Sequence, residues 1–256
     1  MPKSSFQRVA LVTGAGPARV GNTIARTLSA RGFHLAIHAN RSQREAQSTA
    51  EELTTAGRES IAVVADLCSE QAIIDMVAKV RDHFGRIDAL VNAAAVFDAT
   101  PLEKLTADDV RRQFEVNTLG TLLCCQHVGT LMVGQSTGGA IVNIGDWAIE
   151  RPYTDYLAYF ASKGAIPTMT RALAVELAQR NPRIRVNAVM PGPVLFPPGM
   201  SEAHRRAAIN ATLVKRAGTP QNVADAVAAL IENDFITGVC LPVDGGRTIY
   251  VGEGEG

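Results

Sequence analysis

Residues 9–21 read Val9-Ala10-Leu11-Val12-Thr13-Gly14-Ala15-Gly16-Pro17-Ala18-Arg19-Val20-Gly21. A short apolar run ends in Thr13, turns through Gly14, Gly16 and Gly21, and enters an amphipathic helical pattern over 22–30. A strand that turns through glycines into a helix lets backbone N–H groups approach a pyrophosphate, and the helix N-terminus adds a favourable field. Such a turn is a weak sign alone. Its place in the first strand-turn-helix unit of the chain gives it weight.

The rest of the chain repeats that alternation. Strand-length apolar runs occupy 9–13, 34–39, 60–65, 89–92, 140–144, 185–189 and 239–243. Helical patterns fill 22–30, 44–56, 70–84, 107–133, 155–179 and 223–232. Strand, helix, strand in this order means parallel pairing through right-handed crossovers. The expected fold is α/β: a single-domain, doubly wound Rossmann fold, with a seven-stranded parallel sheet and helices on both faces. No linker or composition break divides the chain, so one domain is expected over 1–251, with a frayed tail at 252–256. The main irregular insertion, 191–200, is rich in proline and glycine and is followed by a short helical pattern at 202–210. A loop over 191–212 is expected to close over the ligand edge of the sheet and exclude water, with Val194, Leu195, Phe196 and Met200 as an apolar wall.

Composition narrows the partners. Lysine plus arginine (25) equals aspartate plus glutamate (25), so no net field draws nucleic acid or an anionic membrane. Cys68, Cys124, Cys125 and Cys240 show no metal-ligand or C-x-x-C spacing and read as reduced core cysteines. No metal is expected. Residues 1–7 are polar and the apolar run after them is too brief for a signal or a membrane span, so a cytoplasmic protein is expected.

The second strand ends in Ala39-Asn40-Arg41-Ser42, with no acidic residue at its tip. An aspartate or glutamate there would bind the adenosine ribose and repel a 2′-phosphate, whereas Arg41 can pair with that phosphate. NADPH/NADP is the cofactor these residues favour, and Arg19 can supply a second cation. Downstream, Tyr159 and Lys163 stand one helical turn apart. A free tyrosine has a pKa of about 10, and an adjacent ammonium that lowers it would let Tyr159 donate a proton near neutrality. Asp146 precedes the tyrosine. A carboxylate there would repel an alkoxide developing on a carbonyl oxygen, but it accepts hydrogen bonds from ring N–H groups or, with Tyr159, passes a proton to nitrogen. His204, beside Arg205 and Arg206, reads as part of a solvated helix face.

Together these residues resemble the short-chain dehydrogenase/reductase family over nearly the whole chain. The matching features are the 13–21 turn, Asp66-Leu67, Asn92-Ala93-Ala94, Asn117, Tyr159 with Lys163, Pro191-Gly192 and Asp244-Gly245-Gly246. The turn departs from the common pattern by one extra residue between Gly14 and Arg19. The resemblance implies that Gly14, Gly16, Arg19, Val20, Gly21, Asn40, Arg41, Ser42, Asp66, Leu67, Asn92, Ala93, Ala94, Pro191, Gly192 and Val194 bind the cofactor. It also implies that Lys163 holds the nicotinamide ribose, and that Asn117 helps hold a water relaying protons to the lysine. Homotetramers that pair the helices at 107–133 and 155–179 are common in the family.

Asp146, Tyr159 and Lys163, with Arg19 and Arg41-Ser42, resemble its pteridine reductase branch, including bacterial dihydromonapterin and dihydrofolate reductases. Phe97 matches the aromatic that stacks on the pterin ring, and the stretch from Asp146 through Trp147 to Arg151 resembles the corresponding bacterial segment. Ala95 departs from that branch, which often has a serine there. The resulting expectation is an NADPH-dependent pterin or dihydropterin reductase, with Asp146, Tyr159, Lys163 and Asn117 catalytic, and Phe97, Asp146, Trp147, Tyr159 and Leu195 at the substrate. A carbonyl reductase of the same family and a non-catalytic NADP-binding sensor are the alternatives.

Overall fold

The computed structural model describes residues 7–197 and 199–250; the expected tail at 252–256 lies outside the described residues. Its strands are β1 (Val9–Thr13), β2 (His34–Ala39), β3 (Ser60–Val64), β4 (Ala89–Asn92), β5 (Gly139–Ile144), β6 (Ile184–Pro191) and β7 (Cys240–Val243). The helices are α1 (Val20–Ala30), α2 (Gln43–Thr55), α3 (Glu70–Phe84), α4 (Ala107–Phe114), α5 (Thr121–Val133), α6 (Leu157–Ala178), α7 (Glu202–Asn210) and α8 (Pro220–Glu232). The strands form one parallel sheet in the order β3-β2-β1-β4-β5-β6-β7.

Successive side chains of a strand face opposite ways, so a sheet covered on both sides needs apolar residues at every position. In β1, Ala10 and Val12 pack into a core with Ile24 and Leu28 of α1 and Val223 and Val227 of α8. Val9 and Leu11 pack into a second core with Ile73 and Val80 of α3 and Cys124 and Val128 of α5. The central strands lie between these two layers. From β1 the chain winds to β2 on one side and later to β4 on the other, which opens a crevice at the strands' C-terminal ends.

The expected single helix over 107–133 is divided. A π-helical turn, Glu115–Gly120, separates α4 from α5, and a side chain on Gly120 would approach Leu67 O to 2.8 Å. Close fit against the segment after β3, which helical periodicity does not encode, accompanies the extra residue in that turn. By length and composition 107–133 could cross a bilayer, but Cys124, Cys125, Val128 and Met132 are buried in the second core. The thiols of Cys124 and Cys125 are pushed up by burial, the former to about 12. Cys68, expected in the core, is exposed. At the far edge, α8 starts three residues earlier than its apolar pattern suggests, because Thr219 and Asn222 form a reciprocal cap with Pro220 in the first turn.

Candidate active site

One cleft of about 1320 Å³ runs along the C-terminal ends of the strands, from Arg41 and Ser42 past the glycine turn to Lys163, Tyr159 and Phe97. Its nucleotide half begins where β1 ends. Thr13 Oγ1 accepts from the backbone N–H groups of Ala93 (3.0 Å) and Ala94 (3.1 Å), tying the tips of β1 and β4 together. Gly14 has φ +65°, and a side chain there would come within 2.6 Å of Ala94 Cα. After the turn, α1 has Arg19 at its N-cap position, with no side-chain cap and no acidic residue in its first turn. By contrast, Ser69, Ser201 and Thr219 cap α3, α7 and α8. The first N–H groups of α1 are thus left to an anion, and the chemistry of this end fits a dinucleotide diphosphate. Arg41 and Ser42 stand at the start of α2, which also lacks a side-chain cap. Asn40 Nδ2 donates to Asp66 Oδ1 at 3.4 Å, linking the ends of β2 and β3.

At the other end of the cleft, Tyr159 Oη donates to Asp146 Oδ2 at 2.7 Å, and Asp146 Oδ1 accepts from Ala148 N at 2.8 Å. Lys163 Nζ donates to Ile144 O at 2.8 Å. Burial raises the Asp146 carboxyl, against the opposing pull of Ala148 N–H, Tyr159 and Lys163. Burial and then Asp146 hold the Tyr159 phenol well above its ordinary range. Burial also lowers Lys163 to about 8, partly offset by Asp146. The expectation that Lys163 lowers the phenol is therefore corrected: burial and the Asp146 carboxylate dominate, raise it instead, and keep the proton on Tyr159.

The expected cofactor and substrate residues Arg19, Val20, Gly21, Asp66, Leu67, Ala93, Ala94, Pro191, Gly192, Val194, Leu195 and Trp147 line the same cleft. Gly16 lines a small adjoining hollow instead. Asn92 is buried behind the wall, donating to Asn143 Oδ1 at 3.0 Å. Asn117 is fully buried: its Oδ1 accepts from Val96 N at 2.9 Å and its Nδ2 donates to Val96 O and to Ser162 Oγ, each at 3.0 Å. Its side chain clamps the segment before Phe97 to α6 and takes no place on the cleft surface.

Phe97 stacks on Tyr156 with ring centroids 4.3 Å apart and meets Tyr159 edge-on at 4.7 Å. Tyr153 meets Tyr156 and Phe160 edge-on. Tyr153 and Tyr156 line the cleft and were missed in the sequence: Tyr153 lies in an irregular stretch without periodicity, and Tyr156 falls within the helical pattern 155–179, whereas the helix itself begins at Leu157. Arg247, whose guanidinium lies 4.9 Å from the Trp147 ring centroid, was missed as well. His204 lines the cleft rather than facing solvent alone, and its neighbour Arg205 lies over the Phe196 ring. The spacing of His204, Ala207 and Ala208 on α7 is the signal that points inward.

A glycine turn at an uncapped helix, a buried tyrosine and lysine on one helix face and a doubly wound sheet define a nicotinamide-dependent oxidoreductase. The family model described as enoyl-(acyl carrier protein) reductase matches residues 14–248, and the chain belongs to the short-chain dehydrogenase/reductase family. It is 33% identical over 248 residues to a 3-oxoacyl-[acyl-carrier-protein] reductase of Homo sapiens, covering 96% of this chain and all of that one. It is 34% identical over 248 residues to carbonyl reductase family member 4 of Danio rerio, with the same coverage. Among solved structures, acetoin dehydrogenase from Enterobacter cloacae superimposes with a TM-score of 0.86 at 32% identity, covering 96% of this chain and 98% of that one. A blue fluorescent protein from a metagenomic library, solved in complex with NADPH, gives 0.87 at 31% identity, covering 96% and 99%.

Proposed function

We propose that the protein is an NADPH-dependent reductase of a flat, nitrogen-containing ring, with a pterin or dihydropterin as the substrate class. The hydrogen bond from Tyr159 to Asp146 carries this reading. The Asp146 carboxylate stands where a substrate N–H can be held, and the Tyr159 O–H beside it can turn to protonate the ring nitrogen next to the reduced carbon. Phe97 and Tyr156 offer flat faces on the same side of the cleft, and offset stacking suits a heteroaromatic ring.

For the cofactor, the first turn of α1 would take the diphosphate, Arg41 and Ser42 the 2′-phosphate, Asp66 the adenine side and Lys163 the nicotinamide ribose. When bound, NADPH supplies the hydride. Lys163 holds a positive charge one helical turn from the phenol as the proton leaves, and the wall formed by Val194, Leu195 and Phe196 keeps water away.

A second reading, reduction of a ketone or 3-oxoacyl thioester, is favoured by one observation: burial raises the Asp146 carboxyl. In its protonated form Asp146 would donate to a carbonyl oxygen instead of repelling it. The two readings part when NADPH oxidation is followed with dihydrobiopterin, dihydrofolate and a panel of ketones; turnover of ketones alone overturns the pterin reading. NADPH binding with no turnover of either class would leave a binding protein. A cytoplasmic homotetramer is the proposed assembly, supported by exposed Leu119, Leu122 and Val175 on the long helices and tested by light scattering.

A further inference from the structure

His38 is the fifth residue of β2, is 1% exposed, and has no part in the roles described so far. It meets the glycine turn twice. Its main-chain oxygen accepts from Ala15 N at 2.9 Å, and its Nδ1 accepts from Gly14 N at 3.2 Å. Across the ring, Nε2 lies 3.0 Å from Ala65 O, the carbonyl directly before Asp66.

These partners fix the tautomer. A backbone N–H only donates and a carbonyl only accepts, so Nδ1 is bare and Nε2 carries the proton. The ring is neutral, and burial, which lowers its pKa, acts in the same sense. An imidazolium would set two N–H groups against each other at Gly14.

The ends of this bridge are the two sides of the nucleotide half of the cleft. Gly14, at positive φ, opens the turn that leads to the first N–H groups of α1. Ala65 sets the position of Asp66, which is linked in turn to Asn40. We infer that His38 is a positioning residue of the cofactor site, whose neutral imidazole holds the glycine turn and the end of β3 at the separation a dinucleotide requires. It touches none of the reacting groups around Tyr159, so it governs cofactor affinity and not the chemical step. The inference rests on the family's cofactor and is independent of which substrate is reduced.

The test is direct NADPH binding, followed by fluorescence, in His38→Leu and His38→Gln. Glutamine offers an acceptor and a donor at the end of one side chain, whereas leucine leaves Gly14 N–H and Ala65 O unpaired. His38→Leu is expected to raise the NADPH Kd at least about tenfold, with kcat at saturating NADPH unchanged, and His38→Gln is expected to recover most of the loss. Unchanged affinity in His38→Leu, or a glutamine variant as weak as the leucine one, overturns the assignment. Independently of whether the leucine variant accumulates as folded protein, ¹⁵N-imidazole spectra of the wild-type protein give a second readout. They should show His38 as the Nε2–H tautomer at neutral pH; a protonated Nδ1 overturns the bridge.

Discussion

Tyr159 and Asp146 share one proton across 2.7 Å, and the proton sits on the phenol. Burial raises both groups; Asp146 adds to the rise of the phenol, whereas Ala148 N–H and then Tyr159 oppose the rise of the carboxyl, so replacing either changes the other. Tyr159→Phe removes the donor and keeps the ring in its contacts with Phe97 and Phe160. It is expected to lower kcat by about 10²–10⁴, with NADPH affinity retained. Asp146→Ser replaces the carboxylate with a neutral donor and acceptor. The ratio of kcat/KM for dihydropterin to that for ketone should then fall at least about tenfold, the size of one charge-assisted hydrogen bond. An unchanged ratio in steady-state assays would remove Asp146 from substrate selection.

Lys163 supplies a pH test with a definite sign. Burial lowers it from 10.5 to about 8, so the free enzyme carries the ammonium below about pH 8 and a neutral amine above it. If the ammonium holds the cofactor ribose, NADPH affinity should be level below pH 8 and weaken above it. Lys163→Arg, whose guanidinium keeps its charge, should weaken much less over that range. Stability runs the other way. The unfolded chain binds more protons between about 8 and 10.5, so this group adds stability as pH rises through that window. Fluorescence titration of NADPH across pH checks the first part, and an affinity level well past pH 8 contradicts it.

The sheet was legible because strands buried on both faces carry consecutive apolar residues, such as 9–12 and 35–37, and because glycine and charged stretches separate them. Tyr159, Lys163 and Asp146 were legible as neighbours, since helix spacing and the end of β5 bring them together. What they do to one another was not, because it depends on the depth of burial and on where Lys163 Nζ is directed. The π turn at Asn117 was hidden for a related reason: residues 115–120 continue an ordinary helical pattern, while the close approach at Gly120 is tertiary. His38 was read only as an apolar-strand residue. Its bridge joins positions 24 residues before it and 27 after it, beyond the reach of any local pattern.

Arg41 is the residue on which the proposed cofactor preference depends. It lines the nucleotide half of the cleft beside Asn40 and Ser42, at the start of an uncapped α2. A guanidinium pairs with a phosphate in a two-pronged, charge-assisted arrangement worth more than a neutral hydrogen bond. Arg41→Ala is therefore expected to raise KM for NADPH about tenfold or more, and to leave KM for NADH nearly unchanged. Equal losses with both cofactors in initial-rate assays would remove the 2′-phosphate assignment.

Gly14 and Gly57 separate two costs that usually arrive together. Both have positive φ, +65° and +90°, where a side chain meets its own backbone at a cost of about 1–2 kcal/mol. At Gly57 an added Cβ finds nothing within 4 Å, so Gly57→Ala should lose only that local strain. At Gly14 the same atom would lie 2.6 Å from Ala94 Cα and 2.8 Å from Ala94 N, backbone that Thr13 holds in place. Neither partner can yield without separating the tips of β1 and β4. Gly14→Ala should therefore lower Tm clearly more than Gly57→Ala, for which about 2–4 °C per kcal/mol is expected in a chain of this size. It should also weaken NADPH binding, which Gly57→Ala leaves intact. Thermal melts of the two variants, each with and without NADPH, provide the comparison, and equal shifts would mean that the β1 and β4 tips are free to move apart.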